Sequence, residues 1–387
     1  MKRAMAFLLW LFVAGCANVP DVPSVSDERR PDRLFNDRMF APASERIRAA
    51  DVFALSDEMK RYLATEIADP LRVKGPQQGL IDALYTKGQL KVEYDSAKTR
   101  NAAQTFADRA GNCLSLLIMT AAFAKEVGLD VKYQSVVVDE VWGRGGDLYF
   151  SIGHVNLTIG HRYRDIRSRI DDNAWLTIDF LPLGATRGQR SWQIAESTVI
   201  AMYMNNRAAE ALARGEVDNG YWWAREAIRQ DPTFISAYNT LGVVYRRHGN
   251  LAEAEQVLSH ALSRDADNLQ VASNLATVLE DQGRHAEAGV IAARLERKQP
   301  NPPYYFFNRG VAAMKAGDYA LARDMFKKEI SRDAYNHEFH FWISAAYSRL
   351  GDINEARRHM KIAMEFSNTV QERQLYAAKL DRISAYH

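Results

Sequence analysis

A chain of 387 residues is long enough for two or three domains at roughly 100–200 residues each, which excludes a single small module. Fifty Lys and Arg against 48 Asp and Glu give a formal charge of +2, and 25 % charged with 47 % hydrophobic residues excludes a disordered or nucleic-acid-coating chain. Two cysteines, Cys16 and Cys113, exclude a disulfide framework and any Cys-rich zinc or iron–sulfur centre.

Lys2 and Arg3 precede an apolar run over residues 4–15, about half the ~20 residues a spanning helix needs. The pattern reads as a secretory signal over residues 1–15. The run ends in Val13-Ala14-Gly15-Cys16, which resembles the bacterial lipobox. That resemblance implies cleavage before Cys16 and lipidation of Cys16, so that the body is held to a membrane through its N-terminal lipid in an extracytoplasmic space of the cell envelope. Two or more acyl chains are what stable attachment takes. Ala17 is similar to the sorting signal for the outer membrane, facing the periplasm. Removing residues 1–15 takes away Lys2 and Arg3 and no acid, leaving the remainder formally neutral, so the excess positive charge belongs to the export signal. Residues 16–42, rich in Pro, Asp, Arg and Ser without an apolar period, read as a lipidated tether.

Residues 43–195 alternate two patterns. Helix-like apolar spacing occupies residues 43–67, 79–91 and 114–127, and β-branched, aromatic alternation occupies 131–138, 148–159 and 174–180, which predicts an α+β domain. Cys113 opens the third predicted helix, and helix N-termini favour thiolates. A nucleophile of this kind needs a base in reach and a third group to orient that base. This region holds two histidines: His154 lies in a predicted strand, and His161 follows it in an arginine-rich stretch that reads as an exposed loop. His154 is therefore the expected base. Asp179 ends the next apolar strand, where a carboxylate needs a partner that a histidine on a neighbouring strand supplies.

Gly111-Asn112-Cys113, then Val127-Gly128-Leu129-Asp130, then His154, then Asp179 follow one another in an order that resembles the transglutaminase-like superfamily, relatives of papain-like cysteine peptidases, over residues 103–183. The resemblance implies a Cys–His–Asp triad in which Cys113 attacks an amide, His154 relays the proton and Asp179 orients the imidazole. It implies a membrane-anchored acyl-transfer enzyme, a peptidase or amidase with water as acceptor and a transglutaminase with an amine. Two departures stand out: Asn156 occupies a place two positions past the histidine where an aromatic often stands, and Phe180 rather than proline follows Asp179. The oxyanion donors would be the Cys113 N–H and one upstream group; Gln104 is a candidate, with a spacing that differs from the papain pattern. No zinc-ligand pair, phosphate-cradling loop or nucleotide fingerprint occurs, and residues 143–146 (GRGG) read as a hairpin turn, so neither metal nor cofactor nor nucleic acid is expected.

From residue 197 onward the chain repeats with a period of 34: Gly215, Gly249, Gly283, Gly317 and Gly351. Five residues after each glycine come Gly220, Ala254, Ala288, Ala322 and Ala356, and twelve after come Ala227, Ala261, Leu295, Glu329 and Ala363. The fullest copy, Ala237 to Tyr245 followed by Gly249, Ala254, Leu258 and Ala261, resembles the tetratricopeptide repeat (TPR). The resemblance implies an all-α solenoid over residues 197–387, with five helix pairs to about residue 367 and a capping helix at 369–384. It also implies a concave groove for a protein or peptide partner, lined by Tyr304, Phe307, Val311, Met314 and Phe341 in the later copies and by Asn239, Val243 and Arg246 in the second. Tyr221-Trp222-Trp223 are expected at an inter-domain contact. Two functions follow: an enzyme whose repeats recruit its substrate, or a non-catalytic envelope scaffold whose first domain is a passive peptide pocket.

Overall fold

A computed structural model describes residues 31–86, 90, 92–96, 98–145, 148–160, 175–180, 190–367 and 369–385; Cys16 and His161 lie outside the described residues. The first helix begins at Asp57, later than the apolar spacing predicts, because Ser56 caps it by accepting from the Met59 N–H at 3.2 Å while Asp57 and Glu58 fill the first turn. Helix α1 (Asp57–Tyr62) runs through a π-helical turn (Leu63–Ile67) into α2 (Ala68–Lys74), and α3 (Pro76–Ile81) follows. A two-stranded parallel pair, β1 (Glu93–Tyr94) with β2 (Ala110–Gly111), brackets α4 (Ala102–Asp108).

Helix α5 (Cys113–Glu126) is buried along residues 114–124, and its apolar residues surround it rather than forming a stripe, the mark of a central core helix. Four antiparallel strands follow, β3 (Asp130–Gly145), β4 (Leu148–Gly160), β5 (Trp175–Ile178) and β6 (Ser191–Ile194), in the order β5-β4-β3-β6. Strand pairing at Gly145↔Leu148 closes the β3–β4 hairpin at the glycine-rich stretch. Buried Tyr133, Val155, Leu157 and Ile159 join Leu117, Ile118 and Phe123 of α5 in one core.

Ten helices then pair in succession: α6 (Glu196–Ala213) with α7 (Val217–Gln230), α8 (Ile235–His248) with α9 (Leu251–Arg264), α10 (Leu269–Asp281) with α11 (His285–Lys298), α12 (Tyr305–Ala316) with α13 (Tyr319–Ile330), and α14 (His337–Leu350) with α15 (Ile353–Glu365). A last helix, α16 (Val370–Ala385), covers the end. The 34-residue glycine is the turn inside each pair; Gly249 ends α8 at φ +90°, a left-handed conformation that a side chain would strain. The Leu-Gly pair of the second copy exists because the crossing helix leaves no room: a Cβ on Gly242 would come 2.6 Å from Leu258. Glu329 departs from its small-residue position for a local reason. Its buried carboxylate accepts from the N–H groups of Phe306 (2.9 Å) and Phe307 (3.1 Å), capping α12.

The tether expected over residues 16–42 is, in its described part, a docked strap. Phe40 stacks on Tyr221 with ring centroids 3.9 Å apart and planes 6° from parallel, and both Leu34 and Phe40 are buried. The Tyr245 hydroxyl donates to the Leu34 carbonyl (2.8 Å) and accepts from the Asn36 N–H (2.9 Å), while Trp222 Nε1 donates to the Ala41 carbonyl (2.6 Å). The strap continues through Ser44, held by Asn219 at 2.9 Å, which is why residues 43–56 are extended around one 3-10 turn (Ala49–Asp51) instead of helical. Tyr221 and Trp222 thus join the strap to the repeats. Phe40→Ala is expected to cost about 3 kcal/mol of stability, read as a lower urea midpoint; an unchanged midpoint would mean the segment is a loose tether after all.

Candidate functional site

Cys113, half-buried, is the first residue of α5. Its helix is set by Asn112, whose side chain accepts from the Ser115 N–H (2.9 Å) and the Ser115 hydroxyl (2.8 Å) and donates to the Thr99 hydroxyl (3.0 Å). Thr99 in turn receives Asn206 (3.3 Å) and gives its N–H to Glu210 (2.6 Å), both on α6, so the start of the cysteine helix is tied to the first repeat. As the first residue of α5, Cys113 has a backbone N–H without a partner inside the helix.

His154 sits on β4, which packs against α5, and is 3 % exposed. Its Nε2 lies 2.8 Å from Asp179 Oδ1, just past the end of β5, the strand next to β4. Cys113 neighbours the same ring, close enough to act on its charge. The structure thus brings Cys113, His154 and Asp179 together in the order thiol, imidazole, carboxylate. Asn156 shares the strand face of His154 two residues on, and its amide donates to Asp179 Oδ2 at 3.2 Å. One carboxylate is therefore held by two side chains of a single strand. The departure seen in the sequence at Asn156 is a second anchor for Asp179; the two-residue strand period puts it on the face of His154, and the neighbouring strand brings Asp179 to it.

Burial pushes the His154 imidazole down, but hydrogen bonds and charge from Asp179 and Cys113 outweigh it and raise the pKa to about 9. At neutral pH the ring is an imidazolium facing a carboxylate. Because the folded value exceeds the unfolded ~6.5, this group stabilises the fold fully below about pH 6.5, and the contribution is lost as pH rises through about 9. Tyr94, on the parallel pair beside Cys113, has its hydroxyl pushed up by burial and by the neighbouring Cys113 and Asp95 charges.

Gln104 is placed elsewhere. Its carbonyl accepts from the Asn101 N–H (3.2 Å) in a reciprocal cap of α4, and it lines a cavity at the junction with the repeats rather than the space before Cys113. The groove residues expected in the later repeats are also corrected. Tyr304 and Phe307 are 3 % and 0 % exposed and meet Phe339 edge-on and tilted at 5.1 and 5.3 Å, so they form the core between helices and line no groove. Phe341 stacks on Tyr376 of α16 at 5.3 Å, and Met314 and Val311 pack against the Phe307 cluster. Asn239 is buried and accepts from Asn274 of the next repeat (2.8 Å); Arg246 pairs with Asp281 (2.6 Å). Aromatic residues at these positions fill space between repeats, where the spacing alone cannot tell one face from the other. Among the described residues no group of three or more His, Cys, Asp or Glu side chains could hold a metal, and no helix is long and apolar enough to cross a membrane.

Family models of the tetratricopeptide repeat match residues 223–256, 245–306 and 307–363. Curated relatives include human tetratricopeptide repeat protein 7B, 29 % identical over 111 residues (28 % of this chain, 13 % of that protein). The type IV pilus assembly protein PilF of Pseudomonas aeruginosa is 26 % identical over 121 residues (31 % of this chain, 48 % of that protein). The chain thus spans less than half the length of either relative. Similar solved structures include TTC0263 of Thermus thermophilus (17 % identity, 46 % of this chain and 98 % of that one, TM-score 0.30) and the Pseudomonas aeruginosa PilF structure (19 %, 48 % and 84 %, 0.29).

For the His154 ring, an NMR titration is expected to report a midpoint near 9 in the wild type. In Asp179→Asn the midpoint should fall well below that of the wild type, because burial then acts with one opposing partner fewer. A wild-type midpoint at or below 6.5 would contradict this electrostatic picture. Together the helix pairs, the 34-residue turns and the matching family models make the C-terminal part of the chain an all-helical tetratricopeptide-repeat solenoid.

Proposed function

We propose that this scaffold carries a cysteine acyl-transfer centre, so that the repeats recruit a protein or peptide and the N-terminal unit acts on it. The scaffold half of this reading rests on the repeat matches over residues 223–363. The catalytic half rests on one observation: His154 bonded to Asp179 at 2.8 Å, with Cys113 beside the ring at a helix start. In the proposed reaction the thiol proton resides on His154 Nδ1, and the Cys113 sulfur attacks an amide carbonyl. The developing oxyanion takes the Cys113 N–H, and the imidazolium protonates the leaving amine. Water then releases the acyl group with His154 as base, which makes the enzyme a peptidase or amidase; an amine in place of water would make it a transglutaminase. The resemblance to the transglutaminase-like superfamily supports the order of these groups along the chain. A scaffold without turnover, using the same cleft as a passive pocket, is the alternative reading, and the relatives matched through their repeats favour it at least equally.

Alkylation by iodoacetamide in the full chain bearing Cys16→Ser, where Cys113 is the remaining cysteine, separates the two. The acyl-transfer reading expects Cys113 to react faster than free cysteine at pH 7, and His154→Ala to slow it by about tenfold or more. A rate equal to free cysteine and indifferent to His154→Ala leaves the scaffold alone. We further propose lipid attachment at Cys16 in the bacterial envelope, from the Val13-Ala14-Gly15-Cys16 motif. Radiolabelled palmitate is expected in the wild type and absent from Cys16→Ser; label retained in that variant would refute the anchor.

A further inference from the structure

The last helix pair departs from the repeat pattern at two positions that meet in space. His340 stands where earlier copies have Phe306, Ala272 and Tyr238, and His359 stands where they have Met325, Ile291 and Val257. Both imidazoles are buried, at 4 % and 6 % exposure, and their Nδ1 atoms lie 2.9 Å apart between α14 and α15.

The partners assign every proton of the pair. His340 Nε2 lies 3.0 Å from the Ala334 carbonyl, which can only accept, so Nε2 carries the hydrogen of a neutral ring and Nδ1 carries a lone pair. His359 Nδ1–H therefore donates to His340 Nδ1. That leaves His359 Nε2 as an acceptor, and it faces Arg358 Nη2, a permanent donor, at 3.4 Å. Donors thus run in one direction from Arg358 to Ala334, and the chain is complete while both rings are neutral.

An added proton meets a positive or a donating group at either site. On His340 it enters Nδ1 and points at the Nδ1–H of His359, breaking the bond that joins the two helices. On His359 it enters Nε2 against the Arg358 guanidinium, with Lys327 of α13 a further positive neighbour and the Tyr347 ring of α14 stacked at 5.6 Å. Two carboxylates offset this in part. Glu355 stands 3.8 Å from His359 Nε2 but is paired with Arg358 at 2.9 Å, and Asp333 acts on His340 from the loop before α14. Burial, the largest cause, holds both rings below the ordinary imidazole range, and His359, which also feels His340, Arg358 and Lys327, is held down to about 4. Because these folded values lie below the unfolded ~6.5, the opened form takes up the protons. The contribution of the pair is whole above about pH 6.5 and is lost as pH falls towards about 4. His154 works in the opposite sense, its charged form being the favoured one, so acid does not loosen the N-terminal half through that group.

We infer that the His340–His359 pair is an acid-sensitive latch that joins the last helix pair at neutral pH and releases it, with its α16 cover, on acidification. Each repeat contacts its neighbours alone, so the end of the array opens while earlier pairs stay folded. The cover goes with the latch because Phe341 of α14 stacks on Tyr376 of α16 at 5.3 Å. His337, the first residue of α14, faces the Tyr376 hydroxyl at 2.8 Å and Glu372 at 3.8 Å and is a separate titratable contact to the same cover.

Hydrogen exchange of the full chain, followed by mass spectrometry at pH 7 and pH 5 and corrected for intrinsic rates, tests this. Residues 337–385 are expected to lose protection at pH 5 while residues 235–298 keep theirs, the opening equilibrium rising about tenfold per pH unit for each proton taken up. His359→Asn keeps a side-chain N–H for the His340 lone pair, and His340→Asn keeps an oxygen for the His359 N–H; each should restore protection at pH 5. NMR of chain labelled with nitrogen-15 histidine needs neither variant to fold: it should show Nδ1–H on His359, Nε2–H on His340, and both titrating below ~6.5. Equal protection at the two pH values, or either ring titrating at or above ~6.5, would overturn the inference. Acid loss unchanged in both variants would overturn it too, and would place the sensitivity at His337.

Discussion

Burial of α5 on all sides is the constraint on which the N-terminal half depends. A helix with Leu117, Ile118, Met119, Ala121 and Phe123 all at 0 % exposure has no face for water, so the surrounding helices and the sheet must close around it. That closure brings β4 across it and leaves the two ends of the helix as its polar points. The N-terminal end carries Cys113, and the strand lying against the helix carries His154. The site is thus a by-product of core packing: the thiol and imidazole meet because the helix they border has nowhere else to go. Asp179, itself held by Asn156, then opposes the downward pull that burial exerts on the ring's charge.

The same economy joins the two halves of the chain. Thr99 links the Asn112 cap of α5 to Asn206 and Glu210 of the first repeat, and the strap of residues 31–44 crosses the repeats through contacts made largely to its backbone. Contacts to main-chain groups fix position with little demand on sequence, so the strap can be polar and proline-rich and still dock. Burial of Phe40 and Leu34 supplies the apolar part of the attachment.

The sequence exposed what is periodic and what is chemically rare. A 34-residue glycine period announces the solenoid because each turn needs a left-handed residue at the same phase. Cys113, His154 and Asp179 stand out because few residue types do nucleophilic chemistry and their order along the chain is restrictive. Composition misled at residues 31–42, the described part of a polar segment read as a tether, which docks by hydrogen bonds that leave no apolar pattern. Periodicity misled at Tyr304 and Phe307, since a helix between repeats is apolar on the groove side and on the packing side alike. Asn156 was within reach of strand alternation, but its meaning needed the neighbouring strand to bring Asp179 opposite. His340 and His359 are visible as departures from the repeat, and only the fold shows that they face each other.

We propose that Cys113, His154 and Asp179 form one acyl-transfer centre on a repeat scaffold. Intact-mass analysis with peptide mapping, after brief exposure of the Cys16→Ser chain to p-nitrophenyl acetate at pH 7, tests it most directly. An acetyl group is expected on the Cys113 peptide ahead of any lysine, with the yield sharply reduced in Asp179→Asn. Acetylation spread over lysines with Cys113 unmodified, or a Cys113 adduct indifferent to Asp179→Asn, would contradict it.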